Sequence, residues 1–493
     1  MTVTPLGRLF VSGRDPGTVM AMRDDAPLTL GRFATDVAHI VGVARAAGVS
    51  RGAVLSADPY RFLVGLFGLL HAGATVVLPP DGLPGTIASL RDRFDVLFCD
   101  ASMSAQLSAL TVTRLPIEDG RDAAPAIGAL DPVSAMLEFF TSGSTGDAKR
   151  IAKPLVMLDR EIATLDALWG SSARGRTAAA TVPYRHIFGL TFHLLWPLAC
   201  GRPFVSHVDD LWERLLARNV AGAVLVTSPA HLTRLSGIAP LSQGLGPALV
   251  FTAGAPLHRA QAREAAAVLG VLPTEIFGST ETGAIATRTQ HEGEEPWTPL
   301  PGIEVRADDA GCMIVRSPFG PAPFGPEEAP SELASSGPAP SGLAPFGSVS
   351  SESTGAPFVS ADRIEMLPDG KFHFLGRVDR IAKIAGKRVS LARLEVELAA
   401  LPWVRDAAAV VLGGAHERLA AAVALNGEGR ARLDMLGAFR FSRELRRQLS
   451  LVLESAWLPK SWRFVDTLPL GAMGKRRDTD VKALFPAGRS RAL

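Results

Sequence analysis

Apolar and polar positions along this chain alternate between helical and strand-like spacing. Over residues 28–47 apolar side chains recur at helical spacing, and Gly48 follows as a C-cap. Val54-Leu55 begins a short strand that stops before Asp58-Pro59. Residues 62–78 are almost wholly apolar, close to the length of a membrane span. His71 interrupts this run and Ala72-Gly73-Ala74 punctuates it. The pattern therefore predicts a buried helix ending at His71, a turn, and a short buried strand over 75–78. Pro79-Pro80 ends that strand, because proline cannot donate to a sheet ladder. Further short apolar strands over 95–99, 178–182, 223–227 and 249–252 predict a largely parallel sheet covered by helices on both faces.

Residues 318–357 break the pattern. They are rich in Pro, Gly and Ser, lack Lys and Arg, and repeat Pro-Phe-Gly at Pro318, Pro323 and Pro345. Such a composition buries little apolar surface, so a mobile loop or linker is expected; a partner-docking segment is the alternative. Order resumes at Phe358, and Gly376-Arg377 opens a portion with its own helices and strands over 393–400, 406–412 and 419–425. The expected fold is α/β. A large N-terminal domain (1–375) has mostly parallel sheets covered by helices, and a small α+β domain (376–493) follows.

A chain of 493 residues suits two or more domains. A net charge of +2 makes no case for nucleic acid or an anionic membrane as the main partner. Cys99, Cys200 and Cys312 are odd in number and widely spaced, which argues against a disulfide framework and a zinc cluster. Residues 1–15 lack the apolar core of a signal peptide, and no membrane span is expected, so a cytoplasmic location is.

The chemistry concentrates in a few stretches. The apolar run Leu137-Glu138-Phe139-Phe140 leads into Thr141-Ser142-Gly143-Ser144-Thr145-Gly146-Asp147-Ala148-Lys149. Glycines turn backbone N–H groups toward one point, hydroxyls add donors and Lys149 adds charge, which suits a polyphosphate. It is not a Walker A loop, since no Gly-Lys-Ser/Thr closes it. In Phe277-Gly278-Ser279-Thr280-Glu281-Thr282-Gly283 an aromatic can stack on a purine, Thr280 can donate to a phosphate oxygen, and Glu281 can help hold Mg²⁺.

These stretches resemble the adenylate-forming superfamily of acyl-CoA synthetases, peptide-synthetase adenylation domains and luciferases. The superfamily usually has Pro where Ala148 stands and Tyr where Phe277 stands. The resemblance extends in motif order to Lys475 and implies further roles. Gly254 and Ala255 match an adenine-side loop. His186, in Pro183-Tyr184-Arg185-His186-Ile187-Phe188-Gly189-Leu190, matches a gate beside the acid pocket. Asp362, fourteen residues before Gly376, and Arg377 match ribose or phosphate contacts. Asp379 matches the hinge, Gly386 the loop that admits a pantetheine arm, and Lys475 the adenylation lysine.

The implied reaction uses ATP and Mg²⁺ to convert a carboxylic acid to acyl-AMP. A thiol, of CoA or of the phosphopantetheine on an acyl carrier protein, then displaces AMP. Peptide-synthetase adenylation domains usually place an Asp early in the region after the phosphate loop. Residues 183–198 have none, and His186, Phe188, Phe192 and Trp196 suggest an aromatic lining for an aryl or fatty acid. The 184–190 loop is also similar to the acyl or aryl ligases of bacterial aryl-polyene pigment pathways, which load a carrier protein. An amino-acid-activating enzyme and a non-catalytic nucleotide-binding relative stay open as alternatives.

Overall fold

The computed structural model describes residues 3–24, 26–120, 127–142, 148–218, 220–235, 237–291, 295–320, 357–378, 381–384, 387–413, 418–453, 457–470 and 476–485, with the backbone alone for 141, 142, 148, 381–384 and 387–390. The chain forms two compact units, one of residues 1–305 with 315–358, the other of residues 306–314 with 359–493.

The apolar run at 62–78 becomes the helix Pro59–Ala72 and the strand Thr75–Leu78. Asp58 caps the helix, its carboxylate accepting from the Tyr60 and Arg61 N–H groups at 2.8 and 3.1 Å. Gly73 ends it at φ 89°, a left-handed conformation that side chains resist. Phe62, Leu63, Leu66, Phe67, Leu69 and Leu70 are each at most 3% exposed, so this helix is buried on every side.

The first unit holds two sheets. One runs, in spatial order, Arg114–Pro116, Val96–Cys99, Arg51–Leu55, Thr75–Leu78, Met136–Ser142 and Ala148–Pro154. All its pairs are parallel except the last, an antiparallel hairpin. The other runs Thr298–Pro299, Gly283–Thr289, Thr274–Ser279, Leu249–Ala253, Val224–Thr227, Ala178–Ala180, Phe204–Val208, Val19–Arg23 and Ala26–Thr29. Its interior is parallel and its two ends are antiparallel. Strands read as continuous apolar runs are the parallel, doubly covered ones, as burial on both faces requires.

The second unit contains the three-stranded sheet Val404–Leu412, Arg418–Leu425 and Ser461–Val465. Residues on the middle strand alternate between two cores. Leu419, Ala421 and Val423 pack with Leu394 and Leu398 of helix Leu391–Ala399 and with Phe441 and Leu445 of helix Gly427–Leu449. Ala420, Ala422 and Ala424 pack with Leu468 and Val481 on the other face.

The expected linker starts later than its composition suggests. Phe319 is 1% exposed and Gly320 donates to the Ser317 carbonyl, so residues 318–320 belong to the folded body. The 321–356 part of that window lies outside the described residues. Among the described residues, no helix is long and apolar enough to cross a membrane.

Candidate active site

The hairpin of Met136–Ser142 with Ala148–Pro154 carries both ends of the predicted phosphate loop. Thr141 pairs with Lys149, and Ser142 with Ala148. Gly143, Ser144, Thr145 and Gly146, with Asp147, lie outside the described residues. Below the loop, the buried carboxylate of Glu138 is held by Arg150 at 3.3 Å and by Arg51 from the neighbouring strand Arg51–Leu55.

Lys149 leaves this hairpin and meets Glu281, Nζ to Oε1 at 3.0 Å. The pair brings together two motifs that are 132 residues apart in sequence. Glu281 stands with Thr280 in the tight connection between Thr274–Ser279 and Gly283–Thr289. The connection is closed from within. The Ser279 hydroxyl lies 3.0 Å from that of Thr282 and accepts the Thr282 N–H at 3.2 Å, and Ser317 donates to the Thr282 carbonyl at 2.7 Å. A Cβ at Gly278 would lie 2.4 Å from the Gly283 carbonyl oxygen, so the two strands approach here as only glycine permits.

Burial alone would raise the Glu281 carboxyl. The hydrogen bond and charge of Lys149, with backbone and Ser279 donors, bring it below the ordinary carboxylate range. The result is an ionised, hard oxygen donor whose side chain is 18% exposed. It fits a Mg²⁺ ion that draws its remaining ligands from phosphates and water.

Four segments share one edge of the larger sheet. Its parallel strands pair Ala180 with Val226, Thr227 with Thr252, and Ala253 with Ile276. Residues 181–186, Ser228, Gly254-Ala255 and Phe277-Gly278 therefore emerge side by side from the carboxyl ends, where open α/β sheets bind ligands. Gly254 takes φ 98° and is exposed with Ala255. The Phe277 ring meets Trp297 edge-on with centroids 5.2 Å apart, and Arg288 covers the other ring at 4.4 Å.

His186 stands at the N-terminus of the short helical turn Ile187–Gly189 at this same edge. Tyr184 donates to the Ser56 carbonyl at 2.6 Å and anchors the loop. The expected aromatic lining needs correction at two positions. Phe192 and Trp196 are 1% and 0% exposed and pack against Phe251 at 5.3 and 5.9 Å. Phe251 of the strand Leu249–Ala253 packs against both and closes them into the core. Of the four residues expected to line the pocket, His186 and Phe188 lie nearest the sheet edge, with Phe188 8% exposed.

Asp362 and Arg377 belong to the second unit and are cross-strand partners there, joined at 3.3 Å. Ser360 donates to the other Asp362 oxygen at 2.6 Å. Asp379, Gly386 and Lys475 lie outside the described residues.

Sequence reasoning missed Lys153. It is 0% exposed, and its ammonium donates to the Glu281 carbonyl at 3.2 Å and to that of Phe319. Desolvation lowers its pKa to about 8, although Glu161 and Glu281 act in the opposite sense. Glu161 is itself buried, which raises its carboxyl; Lys153 and the Ala284 N–H, 3.0 Å away, pull it back. The signal was present in the sequence. Lys153 takes the same strand face as buried Ile151, where alternation calls for an apolar residue.

A largely parallel α/β body, in which the strand after a glycine- and hydroxyl-rich sequence carries a lysine onto an ionised carboxylate, has the features of an adenylate-forming enzyme fold. The chain belongs to the AMP-binding enzyme family, whose profile matches residues 13–339. It is 28% identical over 351 residues to a 4-coumarate–CoA ligase of Rhodobacter capsulatus, spanning 70% of this chain and 76% of that one. A 117-residue stretch is 35% identical to the anguibactin system regulator of Vibrio anguillarum; it covers 24% of this chain and only 11% of that much longer protein. O-succinylbenzoate coenzyme A synthetase of Bacillus subtilis, solved in complex with AMP, shares the fold. Its TM-score is 0.77 at 17% identity, covering 99% of this chain and 100% of that one.

Proposed function

We propose that this chain activates an aryl or fatty acid as its acyl-adenylate and passes the acyl group to a phosphopantetheine thiol, of CoA or of an acyl carrier protein. Activation by adenylation follows from the family; the acid class and the thiol are the finer reading. The observation that supports the reading most is the meeting of Lys149 with Glu281 at 3.0 Å, which joins the phosphate-loop hairpin to the Thr280–Glu281 turn.

In the first step a substrate carboxylate oxygen attacks the α-phosphorus of ATP. The new P–O bond forms as the bond to the bridging oxygen breaks, and pyrophosphate leaves. This step needs charge compensation and in-line placement more than proton transfer. Lys149 and Thr280 are assigned to phosphate oxygens, Glu281 to Mg²⁺, and Lys475 to the α-phosphate and bridging oxygen. Mg²⁺ when bound neutralises phosphate charge. Phe277 and the Gly254-Ala255 turn take the adenine, and Asp362 and Arg377 the ribose. In the second step the thiol sulfur attacks the acyl carbon, AMP departs, and the thiol proton goes to solvent. We assign that step to a second orientation of the small domain, hinged at Asp379, with Gly386 lining the thiol's route.

Similarity to a 4-coumarate–CoA ligase supports an aryl acid and CoA. The absence of Asp from residues 183–198 speaks against an α-amino acid. The test is pyrophosphate release across aryl, fatty and α-amino acids, followed by mass analysis of products with CoA or a phosphopantetheinylated carrier. Benzoate-type or medium-chain acids should outperform their α-amino analogues. Preference for an α-amino acid refutes the acid class, and no release with any acid favours a non-catalytic nucleotide binder.

A further inference from the structure

We propose that Lys153 and Glu161 are positioning residues that grip the Thr280–Glu281 turn and fix it relative to the strand Ala148–Pro154 that carries Lys149. The proposal rests on the reading above, in which that turn contacts phosphate and Mg²⁺.

The grip has two ends. Lys153 donates to the carbonyl of Glu281 at 3.2 Å and to that of Phe319. Glu161, on helix Leu155–Ala173, accepts the Ala284 N–H at 3.0 Å. One contact falls on the turn itself and the other three residues further along, at the start of the strand Gly283–Thr289. Gly283 makes room for the second. It takes φ +70°, and a Cβ there would lie 3.1 Å from Glu161 Oε2 and 2.8 Å from the Phe319 Cβ. Both gripping side chains belong to one continuous piece, the strand Ala148–Pro154 and the helix that follows it. That piece begins at the phosphate loop and also carries Lys149, whose side chain holds the Glu281 carboxylate. Lysine contacts thus reach both the carboxylate and the carbonyl of Glu281 from residues four apart on the same hairpin arm.

Core filling does not require this arrangement. Lys153 is 0% exposed and Glu161 2%, and taking two charges out of water is costly. Apolar residues of the same volume commonly serve a core as well or better. What an apolar pair lacks is the donor set: an ammonium offers three N–H groups, enough to hold two backbone carbonyls from separate segments at once.

The test separates gripping from charge balance. Lys153→Met alone strands the Glu161 charge, so the decisive protein is the double variant Lys153→Met with Glu161→Gln, which leaves no unpaired buried charge and keeps an acceptor for Ala284. Thermal unfolding, steady-state pyrophosphate release and calorimetric binding of MgATP are measured on the full chain. The double variant should unfold within a few degrees of wild type and keep the KM for the acid. It should lose tenfold or more in kcat for adenylation and weaken MgATP binding severalfold. Lys153→Arg, which keeps the donors, should recover part of that loss. A folded double variant with wild-type kcat and MgATP affinity overturns the proposal, as does a Lys153→Arg protein that is folded yet no better than the double variant. If wild type itself releases no pyrophosphate with any acid, the functional reading fails instead, and the MgATP affinities alone decide the positioning claim.

Discussion

Acidification should destabilise the first unit through His193. This residue is 0% exposed, on the helical turn Leu190–Leu195 just beyond the His186 loop. Its Nε2 lies 3.0 Å from the Val205 carbonyl, so Nε2 carries the proton in the neutral ring. Nδ1 is buried and has no hydrogen-bond partner among the described residues. Protonation would place a second N–H there, and a positive charge with it, without an acceptor. Desolvation accordingly lowers the pKa from 6.5 to about 4, against a small opposing effect of the Val205 bond. The folded-state value lies below the unfolded one, so the contribution is complete above pH 6.5 and is lost as pH falls toward 4. At pH 5 a shift of this size costs about 2 kcal/mol, from the ratio of protonation terms in the unfolded and folded states. Urea unfolding of wild type and His193→Gln at pH 7.5, 6.0 and 5.0 isolates the group, because glutamine can keep a donor to Val205 and does not titrate. Between pH 7.5 and 5.0 wild type should lose about 2 kcal/mol more than the variant. Equal losses, within about 0.5 kcal/mol, would refute the assignment of the neutral, partnerless ring.

Asp159 should act in the opposite sense. Burial raises its carboxyl to about 6, despite the bond from the Leu6 N–H at 2.8 Å, so its contribution is present at low pH and lost as pH rises through 6. Asp159→Asn should therefore raise stability at pH 8 by about 3 kcal/mol and change it by only about 0.5 kcal/mol at pH 4, read by the same urea titration. The two half-reactions should separate by mutation. Lys475→Ala should slow adenylate formation by about a hundredfold, if one charged contact is worth about 3 kcal/mol, and largely spare thiol capture of supplied acyl-adenylate. Gly386→Trp should do the reverse in single-turnover assays; equal loss of both steps in both folded variants would rule out a two-orientation mechanism.

What the sequence made legible was decided by local physics. The 62–78 run showed a helix, a turn and a strand because His71, Gly73 and the two prolines punctuate it. The Thr280–Glu281 turn could be read because its glycines, hydroxyls and acid are contiguous. The antiparallel ends of the larger sheet could not, since period-two alternation says nothing of strand direction. The aromatic stripe misled in part: helical spacing groups Phe188, Phe192 and Trp196 on one face, yet only the tertiary fold sets Phe251 against it. Pairing of Asp362 with Arg377 depended on a hairpin register that spacing alone does not fix. Lys153 was passed over because a lysine is ordinarily solvated. The Pro-Phe-Gly repeat concealed that its first phenylalanine is core.

The rung between Ser142 and Ala148 has a mechanical meaning. Paired residues in an antiparallel ladder hold their Cα atoms about 4.5–5.5 Å apart. Both ends of the five-residue connection are thus clamped before any anion arrives. Much of the entropy of bringing its ends together is already spent in folding. A pull on Lys149 is thus carried into both strands of the hairpin together.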